Sequence, residues 1–91
     1  MSTKEKVRER VSVKEATTIN HEIILYNDDV NTFDHVIETL IRVCDHSSEQ
    51  AEQCALIVHY KGKCTVKTDV IEKLIPQCTQ LLEADLSAEI V

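Results

Sequence analysis

The hydrophobic pattern is clearest where Phe33, Val36, Ile37, Leu40, Ile41 and Cys44 recur at helical spacing. It predicts an amphipathic helix opening at Phe33, with one apolar face turned to a core. Thr32, just ahead of it, is a hydroxyl suited to cap the helix start. Upstream, His21–Asn27 reads as a strand, and its Ile23-Ile24-Leu25 run predicts a central strand or one buried on both faces. Downstream, Asp45-His46 breaks the helical period. Ser47 followed three residues later by Gln50 fits a capping box, and Ala51, Cys54, Ala55 and Val58 form the apolar stripe of a second helix. Gly62, the only glycine, falls where a helix stop belongs. Cys64, Val66 and Thr68 alternate along Lys63–Thr68 and predict a strand. Asp69 opens a third helical pattern through Val70, Ile71, Leu74, Ile75, Cys78, Leu81 and Leu82. Pro76 lies inside it and predicts a kink or break, because proline lacks the backbone donor and crowds the preceding turn. Leu86–Val91 reads as a short last strand.

The order β-α-α-β-α-β predicts an α+β fold, a two-layer sandwich with three helices on a three-stranded sheet. Residues 1–20 are polar and without period and are expected to form a flexible N-terminal extension to a core domain over 21–91. Ninety-one residues suffice for one small domain. With Phe33, Tyr26 and Tyr60 the only aromatic residues, the core must be aliphatic.

Charge changes the picture. Residues 1–20 hold five basic and three acidic groups, and the remainder five basic and thirteen acidic ones. An acidic body disfavours a nucleic-acid partner and suits a cationic ligand. No stretch approaches transmembrane length, and the first twenty residues lack the apolar run of a signal peptide, so no membrane partner and a cytoplasmic location are expected. Cys44, Cys54, Cys64 and Cys78 form no Cys-x-x-Cys pair. The expectation is no metal site and no disulfide, with Cys44, Cys54 and Cys78 as small core residues.

Candidate chemistry gathers in two stretches. Asn27-Asp28-Asp29-Val30-Asn31-Thr32 follows the first strand and offers two amides, two carboxylates and a hydroxyl. Such a group can receive a cation needing several acceptors, or can serve as an ordinary turn. Val58-His59-Tyr60-Lys61-Gly62-Lys63 ends the second helix. There His59 also fits the plain role of a helix-end histidine favoured by the dipole. The phosphate loop, the G-x-S-x-G elbow and the H-E-x-x-H motif are all absent. A Cys–His nucleophile pair would need Cys44, Cys54 or Cys78 to leave an apolar helix face. The chain is therefore read as a non-enzyme, with no cofactor, and from the residues alone as a small acidic interaction domain.

Val58-His59-Tyr60-Lys61-Gly62-Lys63 resembles the V-H-Y-x-G-K signature of the ClpS adaptor family, and Ile24-Leu25-Tyr26-Asn27-Asp28-Asp29 resembles its I-L-x-N-D-D motif. Asn27 and His59 are 32 residues apart, which matches the family spacing without a gap, and the resemblance covers roughly residues 22–91. It implies an adaptor that binds substrates bearing a free N-terminal amine and a large hydrophobic first residue (an N-degron) and delivers them to a Clp AAA+ unfoldase and its protease. It implies Asn27, Asp28 and His59 at the α-amine, with Asn31, Phe33, Ala55, Val58 and Leu86 around the apolar side chain. For the unfoldase, of ClpA or ClpC type, it implies contact between its N-terminal domain and Asp69, Glu72 and Lys73, near the start of the last helix. The adaptor is expected to be a monomer, with residues 1–20 as the extension that enters the unfoldase.

The sequence departs from the family pattern at the pocket. Asn31-Thr32-Phe33 stands where many members have Thr-Pro-Met, and Ala55 where many have methionine. Volume is gained at one wall and lost at another. An alternative from another class is the C-terminal domain of the ribosomal stalk protein, which has the same element order and recruits translation factors but lacks both motifs.

Overall fold

A computed structural model describes residues 19–91. Its elements are β1 (Asn20–Tyr26), α1 (Phe33–Cys44), α2 (Ser48–Lys61), β2 (Lys63–Val70), α3 (Ile71–Glu83) and β3 (Ser87–Ile90). The expected β-α-α-β-α-β order and two-layer α+β architecture are what the chain adopts. The strands run β2-β1-β3, both pairings antiparallel. β1 is thus the central strand, as its apolar run suggested. Ile23 and Leu25 point into the core, 0% and 1% exposed, while Ile24 on the opposite face is only partly covered. That opposite face is laced by Tyr26 Oη donating to Glu89 Oε1 at 2.6 Å and Thr65 Oγ1 to Glu22 Oε1 at 2.9 Å.

The caps explain the helix limits. Thr32 Oγ1 accepts from His35 N and Ser47 Oγ from Gln50 N, both at 3.1 Å. Each satisfies one of the orphan donors of a first turn. α1 ends where Asp45 turns into the left-handed region (φ 57°), and α2 where Gly62 does (φ 93°). The core is aliphatic and small: Ile23, Leu25, Leu40, Val58, Val66, Leu74, Leu81 and Leu86, with Cys44, Cys54 and Cys78 filling between them. Burial pushes the Cys44 thiol up to about 11; burial and the neighbouring Cys64 push Cys54 up to about 12. These are packing thiols, poorly suited to nucleophilic work.

Three expectations need correction. Thr68 does not continue the inward alternation of β2. Ile23 pairs with Lys67 but Ile24 with Thr65, so Val66 is the extra residue of a bulge. The bulge resets the inward face, leaving Val66 buried, Thr68 exposed, and Lys67 Nζ 3.4 Å from the Cys44 carbonyl at the end of α1. Asp69 does not open the last helix: it pairs with His21 inside β2, and α3 begins at Ile71 after an uncapped Val70. Pro76 does not break α3, which is unbroken from Ile71 to Glu83. The hydrogen bond it forgoes would have gone to the carbonyl of Glu72, an exposed residue of the first turn. The expected flexible extension over 1–20 falls, save for its last two residues, outside the described residues. Asn20 is already paired with Val70 in the sheet.

Candidate functional site

β1 ends at Tyr26, and the next residue ties the two sequence motifs together. Asn27 N donates to the Gly62 carbonyl at 2.9 Å, while Gly62 N donates to Val58 O at 2.9 Å and closes α2. The strand end carrying Asn27-Asp28 and the helix end carrying His59 are thereby held side by side.

The loop that follows is organised by one carboxylate. Asp28 Oδ1 accepts from Val30 N at 3.0 Å and Asn31 N at 2.9 Å, and Oδ2 from Asn31 Nδ2 at 2.8 Å. Burial alone would raise the Asp28 pKa. The Asn31 and Val30 hydrogen bonds and the charge of nearby His35 outweigh it and hold the carboxyl below its ordinary value, so it is ionised at neutral pH. Asn31 Nδ2 also donates to the Asp85 carbonyl at 2.8 Å. One turn along, His35 Nε2 meets the Ala84 carbonyl at 2.8 Å and Thr39 Oγ1 donates to His35 O at 2.7 Å. A carbonyl only accepts, so His35 Nε2 carries the proton. The α3–β3 turn is thus fastened to the start of α1, and Leu86 follows it into the interior, 4% exposed.

Between these parts lies a cleft of about 310 Å³, within the range of small-ligand sites. Leu25, Val36, Ala55, Val58 and Leu86 form its apolar wall; Asn27, Asp28, Asp29, Asn31, Thr32 and His59 form its polar margin. Phe33 lines it too, 42% exposed, with its ring centroid 5.1 Å from that of His59 and the planes tilted 54°. Tyr60 stands edge-on to His59, with ring centroids 4.9 Å apart. The imidazole therefore has two aromatic neighbours at the end of its helix. Acceptors and a negative charge at one end of an apolar cleft can accommodate a group that is cationic at one end and hydrophobic at the other.

The eight residues assigned from the sequence to amine and pocket (Asn27, Asp28, Asn31, Phe33, Ala55, Val58, His59 and Leu86) all line this cleft. Asp69, Glu72 and Lys73 lie elsewhere, at the end of β2 and on the exposed first turn of α3. Leu25, Tyr26, Asp29, Thr32 and Val36 also line the cleft, though none of them was assigned to the amine or the pocket. Val36 was detectable as the residue one turn after Phe33 on the same helix face, and Leu25 and Tyr26 as the last residues of the strand leading to Asn27. Among the described residues no three His, Cys, Asp or Glu side chains stand together so as to hold a metal ion, and no helix is long and apolar enough to cross a membrane.

Fold and cleft together define a small α+β domain with an amphipathic cleft at the end of its central strand. The chain belongs to the ClpS family: it matches the family described as ATP-dependent Clp protease adaptor protein ClpS over residues 16–89. It is 35% identical over 65 residues to the ATP-dependent Clp protease adapter protein ClpS of Treponema denticola, covering 71% of this chain and 64% of that one. Against the ClpS of Campylobacter jejuni it is 33% identical over 76 residues, covering 77% and 79% respectively. In fold it is similar to Agrobacterium tumefaciens ClpS2, solved bound to L-phenylalaninamide, with a TM-score of 0.67 and 18% identity over 79% of this chain and 94% of that one.

Proposed function

We propose that this chain is an N-degron adaptor: it binds proteins that expose a free N-terminal amine and a large hydrophobic first residue and delivers them to a Clp AAA+ unfoldase–protease. The observation that carries this reading is the convergence of an ionised Asp28, the Asn27 amide and His59 on the margin of a cleft walled by Phe33, Val58 and Leu86. An ammonium has three donors and one charge, and these groups supply acceptors and a counter-charge. The first side chain enters the apolar part, where burying a leucine or phenylalanine contributes roughly 1.5–3 kcal/mol. The ligand of the similarly folded ClpS2, L-phenylalaninamide, has this pairing of amine and benzyl group.

Delivery rests on family membership. The unfoldase contact is proposed at Glu72 and Lys73, exposed at the start of α3, with Asp69 two residues before the strand gives way to the helix. Residues 1–20 are proposed as the extension that engages the unfoldase. The protein acts as a cytoplasmic monomer in this reading.

The test is a Phe-starting peptide titrated in free-amine and N-acetylated forms, alongside Asp28→Ala. Acetylation removes the charge and two donors, so it and Asp28→Ala should each weaken binding strongly. Equal affinity for the acetylated peptide sinks the amine reading and favours the alternative of a general protein-recruiting domain.

A further inference from the structure

The Asn31 side-chain amide has two N–H donors, and both are engaged: Asp28 Oδ2 and the Asp85 carbonyl each accept at 2.8 Å. Both partners are acceptors, so the amide has one workable orientation; turned over, it would set Oδ1 against a carboxylate and a carbonyl. A carboxylate has about four acceptor sites. On Asp28 three are taken, by Val30 N, Asn31 N and Asn31 Nδ2, which leaves one for a ligand. Asp85 occupies the left-handed region (φ 68°), an unfavourable backbone state that the contacts on the Ala84 and Asp85 carbonyls help to hold.

We infer that Asn31 is a positioning residue for recognition of the substrate's first residue. It fixes the one remaining acceptor site of Asp28 and links it to the turn that sets Leu86 in the apolar wall. The inference rests on the amine reading above. Asp28 is only partly buried, and an ion pair near solvent is worth little unless its geometry is held. Fixing the carboxylate in advance is what turns a weak attraction into selectivity for a free amine. His35 grips the same turn independently through Ala84 O, so losing the Asn31 side chain does not release the turn; it releases Asp28 Oδ2. The role of Asn31 is therefore separable from folding.

The test uses the full chain and competition by a Phe-starting peptide and its N-acetylated form against wild type, Asn31→Ala, Asn31→Thr, Asp28→Asn and the Asn31→Ala/Asp28→Asn pair, with melting curves for each. Asn31→Ala should lower affinity for the free amine about five-fold or more while barely moving the acetylated peptide, so the selectivity ratio collapses. Asn31→Thr, with one donor instead of two, should fall between. The double variant should bind no worse than Asp28→Asn alone, because the two residues act as a unit. Three results each overturn the inference: an unchanged selectivity ratio in Asn31→Ala, equal losses for both peptides, or additive losses in the pair. A wild type that ignores acetylation removes the amine reading and this inference with it, whereas a selective wild type with an equally selective Asn31→Ala removes the inference alone.

Discussion

The backbone N–H of Asn27 donates to the carbonyl of Gly62 at 2.9 Å, joining the first residue of one recognition stretch to the helix-stop glycine of the other. Nothing in either stretch alone would place an asparagine amide beside a histidine. This bond, at the junction of β1 with the α2–β2 turn, does so through the backbone, and it depends on Gly62 adopting a left-handed conformation (φ 93°).

That dependence makes Gly62→Ala informative. An added Cβ would meet nothing within 4 Å, so the substitution costs only the conformational preference, on the order of 1 kcal/mol. A thermal melt should show a modest loss of stability with first-residue ranking retained. A large affinity loss without a change in melting would mean that Gly62 contacts the ligand directly.

Asp28 sets a pH dependence. Its carboxyl lies below the ordinary 3.8 in the folded chain, so the stability it contributes is complete above that value and is lost as pH falls through the lower folded value. The loop and its share of peptide binding should hold from pH 7 to pH 5. The Val30 and Asn31 amide protons, followed by NMR, should shift together only below the ordinary carboxylate range. A transition near pH 5 would contradict the hydrogen-bonding drawn for this carboxylate.

How much of this could be read in the chain depends on which interactions are local. α1 and α2 were legible because Leu40, Cys44, Ala51, Cys54 and Val58 repeat at helical period and are all buried. The cleft residues were identified by resemblance, since neither motif shows its partner through spacing alone. The β2 bulge and the role of His46 were not legible. His46 looks like a break in the pattern, yet it is 5% exposed and its Nε2 reaches the Val66 carbonyl at 2.6 Å, next to the register shift. No periodicity records a side chain that satisfies a carbonyl 20 residues away. Likewise Asp69 reads as a helix start because aspartate often caps helices, but its Oδ1 bonds to Val70 N and the strand pairing carries it into β2.

His46→Ala should accordingly destabilise the fold by roughly 1–3 kcal/mol, the cost of leaving a buried carbonyl unsatisfied, in addition to the packing lost. Denaturant unfolding measures it. A neutral result would mean that water replaces the imidazole at Val66 O.

Deleting residues 1–17 leaves every described residue of the cleft in place, so peptide affinity should be unchanged while hand-over to the unfoldase–protease is impaired. A degradation assay with the cognate unfoldase, using a Phe-starting reporter, separates the two. Full-rate degradation by the shortened chain would end any delivery role for this segment.

Phe33 governs the finest prediction. The ring lines the cleft and rests on His59, 42% exposed, so it is a wall of the site rather than a core residue. Phenylalanine has only two side-chain torsions, and the His59 contact restrains them further, whereas methionine at this place could fold away from a ligand. A wall that does not yield should reject first residues branched at Cβ, where the branch lies next to the amine clamp. Ala55, small and 4% exposed on the opposite helix, leaves depth for an aromatic ring. Peptides starting with Phe, Tyr, Leu or Trp should therefore bind well, and those starting with Ile or Val about ten-fold more weakly or worse. Phe33→Ala should narrow that gap by opening space near Cβ, at the expense of some apolar contact with every ligand. Titration with Leu-, Phe-, Ile- and Val-starting peptides, after a melting curve shows the variant folded, decides the matter. If the order of first residues stays as in the wild type and only the melting temperature falls, Phe33 serves the stability of α1 and the selectivity lies elsewhere in the cleft.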